Sequence, residues 1–250
     1  LRAAIACTLL VVALTVDPVV SVQCGIAHQS SRRIVGGREA SPHAYPWIAY
    51  IQTEYTSSEG LPTMYAACDG SLIDDQWVIT ASHCFGPHPN YQIHRVAIVL
   101  GAHNLANRTE HRIIVSPKHE VANKIQKVHN FELLFLLKDS PNGNYQDGQP
   151  SSKYDITMVQ LPQKVTFSHD VAPICMPVEG GAVSKSECKA IGWGKVGGGE
   201  HDPSSPVLKE VDHNMLSASE CKTQHPEISD LQVCAGYSQH GVCSGDSGGK

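Results

Sequence analysis

The sequence predicts an all-β protein. Short apolar runs are punctuated by Gly, Pro, Asn and Ser along most of its length. Almost no stretch carries the 3.6-residue period of an amphipathic helix. The connectors at 43–46 and 173–177 are rich in the residues that build turns. Many short strands separated by turns argue for a barrel or a sandwich.

The elements follow in chain order. Arg2 precedes an apolar run over 3–16 that ends at Asp17 and Pro18. A bilayer span needs about 20 apolar residues, so the run is too short to cross one. It fits a signal peptide, residues 1–21, cut after small residues near Ser21. A buried core helix is the competing reading of the same run. A short polar stretch completes a propeptide, residues 22–33. Strands are expected at 47–52, 70–81, 95–101, 112–115, 156–161 and 187–193, where β-branched, aromatic and other apolar residues cluster. The segment 171–185 reads as a crossover between two halves. The stretch 119–153 is anomalous, because Phe131-Glu132-Leu133-Leu134-Phe135-Leu136-Leu137 is strongly apolar and is followed by a polar run. Exposed loops do not ordinarily carry such a patch. Three readings stand: an extra element packed on the fold, a partner-binding patch, or sequence foreign to the mature protein, such as retained intron. The last is favoured.

Composition narrows the function classes. A chain of 250 residues can bury a sizeable core in one or two domains. Its 41% hydrophobic and 17% charged content is that of a globular protein and not of a disordered one. The net charge of -5, with no basic run, speaks against nucleic acid as a partner. The chain holds 14 His and 9 Cys but no Cys-x-x-Cys or His-Glu-x-x-His spacing, so no metal and no cofactor is expected. Cys7 lies in the signal, which leaves an even cysteine count for an oxidising, extracellular setting. Asn107-Arg108-Thr109 is a glycosylation acceptor.

The chemistry concentrates in three further segments. A serine hydroxyl is a weak nucleophile at neutral pH, and needs a base to take its proton and a carboxylate to orient that base. Gly245-Asp246-Ser247-Gly248-Gly249 presents a serine among glycines, Thr80-Ala81-Ser82-His83-Cys84 a histidine beside a cysteine, and Asp155-Ile156-Thr157-Met158-Val159-Gln160-Leu161 an acid opening a strand. Asp139 and Asp147 lack that following apolar alternation. A lone Gly-x-Ser-x-Gly also fits an α/β-hydrolase elbow, but those enzymes run Ser, acid, His, whereas here His83 and Asp155 precede Ser247. The order Asp, His, Ser found in subtilisin fails as well unless an earlier Asp serves. Arg33-Ile34-Val35-Gly36-Gly37 adds a basic cleavage point before an apolar new N-terminus.

With these motifs the chain, from Cys24 to Lys250 apart from the insertion, resembles the trypsin/chymotrypsin family of serine endopeptidases. The resemblance implies two six-stranded antiparallel β-barrels within a protease domain, residues 34–250. It implies His83, Asp155 and Ser247 as the catalytic triad, with the N–H groups of Gly245 and Ser247 as the oxyanion hole. Activation would follow cleavage after Arg33, when the Ile34 amine pairs with Asp246. The implied disulfides are Cys24–Cys175, Cys68–Cys84 and Cys221–Cys234. Cys188 and Cys243 would find their partners beyond Lys250. The second barrel is therefore expected to be incomplete, and the chain as written is expected not to turn over substrate.

The expected function is that of a secreted, monomeric zymogen. Its partners would be peptide or protein substrates, an activating trypsin-like protease and protein inhibitors, with no membrane attachment once the signal is removed. Two rivals remain: a catalytically inactive homologue that binds or regulates, and a membrane-anchored structural protein that keeps the 3–16 run. The resemblance makes Gly241, six residues before Ser247, the floor of the specificity pocket, with Val242 as an apolar wall. Neither carries a charge, so apolar residues before the scissile bond are expected to be preferred. Competing peptides with Ala, Val, Leu, Phe, Arg or Lys at that position check this, and the small and medium apolar residues should turn over fastest.

Overall fold

The structure, a computed structural model, describes residues 23–28, 37–86, 88–110, 113–115, 145–146, 149–150, 155–177, 187–195, 202–226, 228–229, 232–236 and 247. It is all-β, built of antiparallel sheets, with one short α-helix among the described residues. Twelve strands are described: β1 (Arg38–Glu39), β2 (Ile48–Thr56), β3 (Met64–Asp74), β4 (Trp77–Thr80), β5 (Gln92–Leu100), β6 (Ile113–Val115), β7 (Tyr145–Gln146), β8 (Gln149–Pro150), β9 (Thr157–Gln160), β10 (Glu187–Gly192), β11 (Lys209–Met215) and β12 (Ala235–Gly236).

The first half forms a six-stranded sheet in the order β6-β5-β2-β3-β4-β9. Alternation builds it. In β2, Ile51, Thr53 and Tyr55 are buried while Gln52 and Glu54 are not, the period of two that a half-buried strand requires. In β5, Val96, Ile98 and Leu100 turn inward on the same rule. At Gly70 in β3 a Cβ would lie 2.8 Å from Val78 and 3.0 Å from Ile51, so only glycine lets β2, β3 and β4 close on one another there. The core continues through Leu72, Val78, Val159, Leu161 and Val171.

The second half contributes β1, β11 and β10 in that order, with β12 also on β11. A connector joins the halves: the N–H groups of Ala172 and Ile174 donate to Pro46 and Leu72 at 3.0 and 2.9 Å. Residues 23–28 lie on this connector. Cys24 is joined to Cys175, and Gly25 N–H donates to Pro173 at 2.9 Å.

Several boundaries differ from the sequence expectation. The single strand expected over 70–81 is two strands, β3 and β4, broken at Asp75 and Gln76 where the chain reverses. β3 also begins earlier, at Met64, and β2 runs on to Thr56. β1, β11 and β12 were not anticipated. Nor was the helix Ala218–Gln224, although Ser217 and Glu220 form a capping box at its start, a signature legible as Ser-x-x-Glu. Of the anomalous 119–153 stretch only the β7–β8 hairpin is described, a two-stranded sheet separate from the others.

A partly buried ionic contact ties the two-residue strand β1 to β11 in the second sheet. Arg38 and Glu210 are directly opposed between β1 and β11, with Arg38 Nε donating to Glu210 Oε1 at 2.5 Å. The Tyr45 hydroxyl donates to the other oxygen of Glu210. Glu210 is only 5% exposed, so removing its cation strands a charge in the interior. Arg38→Ala is expected to cost about 3 kcal/mol in urea unfolding, the low end for a broken buried pair because Tyr45 continues to donate. The Arg38→Ala/Glu210→Leu double variant should recover most of that loss.

Candidate active site

The pairing of β4 with β9 brings two of the expected site residues together. The strands are antiparallel with Thr80 opposite Thr157, so the end of β4 and the start of β9 emerge side by side. Beyond Thr80 the chain enters a 3-10 turn, Ser82–Phe85. Two residues before Thr157 stands Asp155. Three hydrogen bonds join the segments. Ser82 Oγ donates to the Ile156 carbonyl at 2.8 Å, His83 N–H donates to Asp155 Oδ1 at 2.9 Å, and His83 Nδ1 meets Asp155 Oδ2 at 2.6 Å. The histidine is held from its other side as well. Cys84 is bonded to Cys68 of β3, and its carbonyl accepts from Thr53 Oγ1 at 3.4 Å and from the Tyr55 hydroxyl at 3.3 Å.

The pair is electrostatically coupled. The His83 side chain is 41% exposed and that of Asp155 24%. The hydrogen bond to Asp155 is the main influence on the imidazole; burial opposes it and the carboxylate charge adds to it, so the pKa rises above the ordinary 6.5. For Asp155, burial pushes the carboxyl up, but the ring and backbone hydrogen bonds from His83 and its charge together outweigh that, so the pKa falls below the ordinary value. A carboxylate on Nδ1 leaves Nε2 as the nitrogen that can take a proton from a neighbouring hydroxyl.

Ser247 lies against the same disulfide. Its carbonyl accepts from Asp69 N–H at 2.8 Å and sits 3.8 Å from Cys84 Sγ. Its side chain is half-buried. Gly245, Asp246, Gly241, Val242, Cys243, Arg33, Ile34 and the 3–16 run lie outside the described residues. Among those described, no helix is long and apolar enough to cross a membrane.

Cys221 is joined to Cys234. Cys188 carries a free thiol among the described residues, and burial raises its pKa. Asn107 is exposed in a turn, where its Oδ1 accepts from Thr109 Oγ1 at 2.8 Å. Cys68, His83 and Cys84 place their donor atoms within 4.8 Å of one another, but both sulfurs are spent in the disulfide, so the group offers no thiolates to a metal. Two residues at the site were not singled out from the sequence. Ser82 carries no motif signal of its own, although its hydroxyl bridges to β9. Asp69 is a lone acid within the stretch Ala66-Ala67-Cys68-Asp69-Gly70-Ser71-Leu72, a polarity break that was the available signal.

The family described as Trypsin matches residues 34–249. The venom serine protease Bi-VSP of Bombus ignitus is 31% identical over 93% of this chain, which spans 60% of that protein's length. Mast cell protease 2 of Meriones unguiculatus is 30% identical over 86% of this chain and 74% of its own length. A solved structure described as "Structure of GrC" superposes with a TM-score of 0.61 at 26% identity, over 86% of this chain and 82% of that one.

The pH dependence of the His83–Asp155 pair has a definite sign. The raised imidazole pKa stabilises the fold at pH below the unfolded histidine value, and that contribution is lost as pH rises through the folded value. The lowered carboxyl pKa stabilises the fold above the unfolded aspartate value, and is lost as pH falls through the folded one. Both contributions are present together on the acid side of neutrality. Asp155→Asn removes the charge and the strongest upward influence on His83 and leaves burial to act. The ring should then titrate below its wild-type midpoint when followed by NMR.

Proposed function

Because the chain belongs to the trypsin family of serine proteases, we propose that the whole protein hydrolyses peptide bonds in an extracellular setting, with Ser247 as nucleophile, His83 as general base and Asp155 as the group that orients it. The observation that carries this reading is the 2.6 Å contact between His83 Nδ1 and Asp155 Oδ2, made beside the segment where Ser247 is hydrogen-bonded to β3.

In this reading His83 Nε2 takes the Ser247 proton as Oγ attacks the substrate carbonyl. The Gly245 and Ser247 N–H groups receive the oxyanion, where preorganised donors count most. His83 then returns the proton to the leaving amine, and an ester between Ser247 and the acyl half of the substrate remains. A water, deprotonated by the same imidazole, hydrolyses the ester and frees the serine. Asp155 remains ionised throughout and stabilises the imidazolium, in keeping with its lowered pKa.

The chain is read as a zymogen, residues 22–33 being its propeptide and 34–250 its protease domain, with signal 1–21 directing secretion. Cleavage after Arg33 frees the Ile34 amine, which is largely charged at neutral pH given a pKa of about 8 for an α-amino group, to pair with Asp246. The Cys24–Cys175 bond keeps the propeptide attached after that cut. Gly241 and Val242 suit apolar residues before the scissile bond, and exposed Asn107 accepts a glycan.

Ser247→Ala is expected to reduce kcat about 10⁶-fold and to abolish labelling by a fluorophosphonate probe, with the site read by mass spectrometry. Arg33→Gln should remain inert to trypsin activation. Full turnover by the alanine variant, or labelling at another residue, would reject Ser247 as the nucleophile.

A further inference from the structure

Asp69 is fully buried, at 0% exposure, in the middle of a sheet strand. An interior carboxylate is retained only where its oxygens meet donors. One such donor belongs to the other half of the molecule: Trp193 N–H, just past β10, reaches Asp69 Oδ2 at 3.2 Å. Trp193 is itself buried, with its ring N–H on the His103 carbonyl at 3.0 Å. Tyr50 completes a triangle. It is the cross-strand partner of Asp69 in the β2–β3 ladder, and its ring meets that of Trp193 edge-on at 6.0 Å. Burial, and then the Asp69 charge, raise the pKa of the Tyr50 hydroxyl, as a carboxylate close to that ring would.

The main chain of Asp69 faces the active site. Its N–H holds the Ser247 carbonyl at 2.8 Å and its carbonyl accepts from Thr80 Oγ1 at 2.7 Å. The preceding residue, Cys68, is bonded to Cys84, next to His83. One residue therefore touches the second half of the fold through its side chain, the serine through its N–H, and the end of the histidine's strand through its carbonyl.

We infer that Asp69 is a positioning residue for Ser247: its carboxylate, anchored on Trp193 across the two halves, sets the place of the N–H that holds the serine's main chain. The inference rests on Ser247 as the nucleophile. Packing alone would use an apolar side chain of the same volume, and a buried polar contact exchanged for such a group is often neutral for stability. A positioning role would be lost in that exchange.

Asp69→Leu in the activated enzyme is the test, with Asp69→Asn beside it because the amide retains an oxygen acceptor for Trp193 N–H. The leucine variant should keep a melting temperature close to wild type. It should lose about ten- to a hundredfold in kcat and in the rate of fluorophosphonate labelling at Ser247, the span expected when a hydrogen bond to a charged group is removed. KM should change much less, and the asparagine variant should recover most of the rate. Wild-type kcat in a folded leucine variant overturns the inference. Asp69→Ala is the second variant if leucine does not fold, and failure of both to fold assigns Asp69 a purely architectural role and rejects the proposal. Ser247→Ala in the same assay separates the two claims: if it retains turnover, the nucleophile assignment fails whatever Asp69 does.

Discussion

β4 and β9 each give four residues to one antiparallel ladder, with Trp77 opposite Gln160 and Thr80 opposite Thr157. The rest of the site depends on that register. The paired residues lie between 77 (Thr80 and Thr157) and 83 (Trp77 and Gln160) positions apart in the chain, and a slip of one would carry Asp155 away from the 3-10 turn. Apolar burial enforces the register: Val78 and Val159 oppose one another in the ladder and are almost wholly inaccessible. The core thus determines where His83 and Asp155 meet, although no core residue takes part in that contact.

A second level of constraint comes from buried polar groups. Glu210 gathers Arg38 and Tyr45, and the Asp69 carboxylate takes Trp193 N–H across the two halves. Neither is economical as a source of stability, since desolvating a carboxylate offsets much of what its partners contribute. Their use is geometric. Apolar contact between two sheets tolerates sliding, whereas a hydrogen bond to a charged group has one preferred distance and direction. The disulfide Cys68–Cys84 does similar work within the first half, holding the loop of His83 against the strand that contacts Ser247.

The candidate site residues were legible because their types and local spacing are themselves the signal. His83 beside Cys84, Asp155 opening an alternating strand and Ser247 among glycines could be named without coordinates. The strands were legible where alternation was clean, as in β2, and less so where a turn carried neither glycine nor proline. Asp75 and Gln76 reverse the chain between β3 and β4 without glycine or proline, so a run that read as one strand is two. β11 escaped notice because Lys209, Glu210, Asp212, His213 and Asn214 give it a polar reading. Its acid at 210 is nevertheless buried, since Arg38 and Tyr45 come to meet it.

By itself the sequence determined the fold class, the family likeness and the chemical types at the site, because turn residues, alternation and short motifs are local properties. The tertiary structure alone decided that Asp69 faces Trp193 with its side chain and Ser247 with its backbone, and that Ser82 bridges to β9. Those roles depend on segments far apart in the chain meeting across a ladder or between sheets. No local pattern encodes such a meeting, because the partner of a buried polar group is chosen by where the whole core packs.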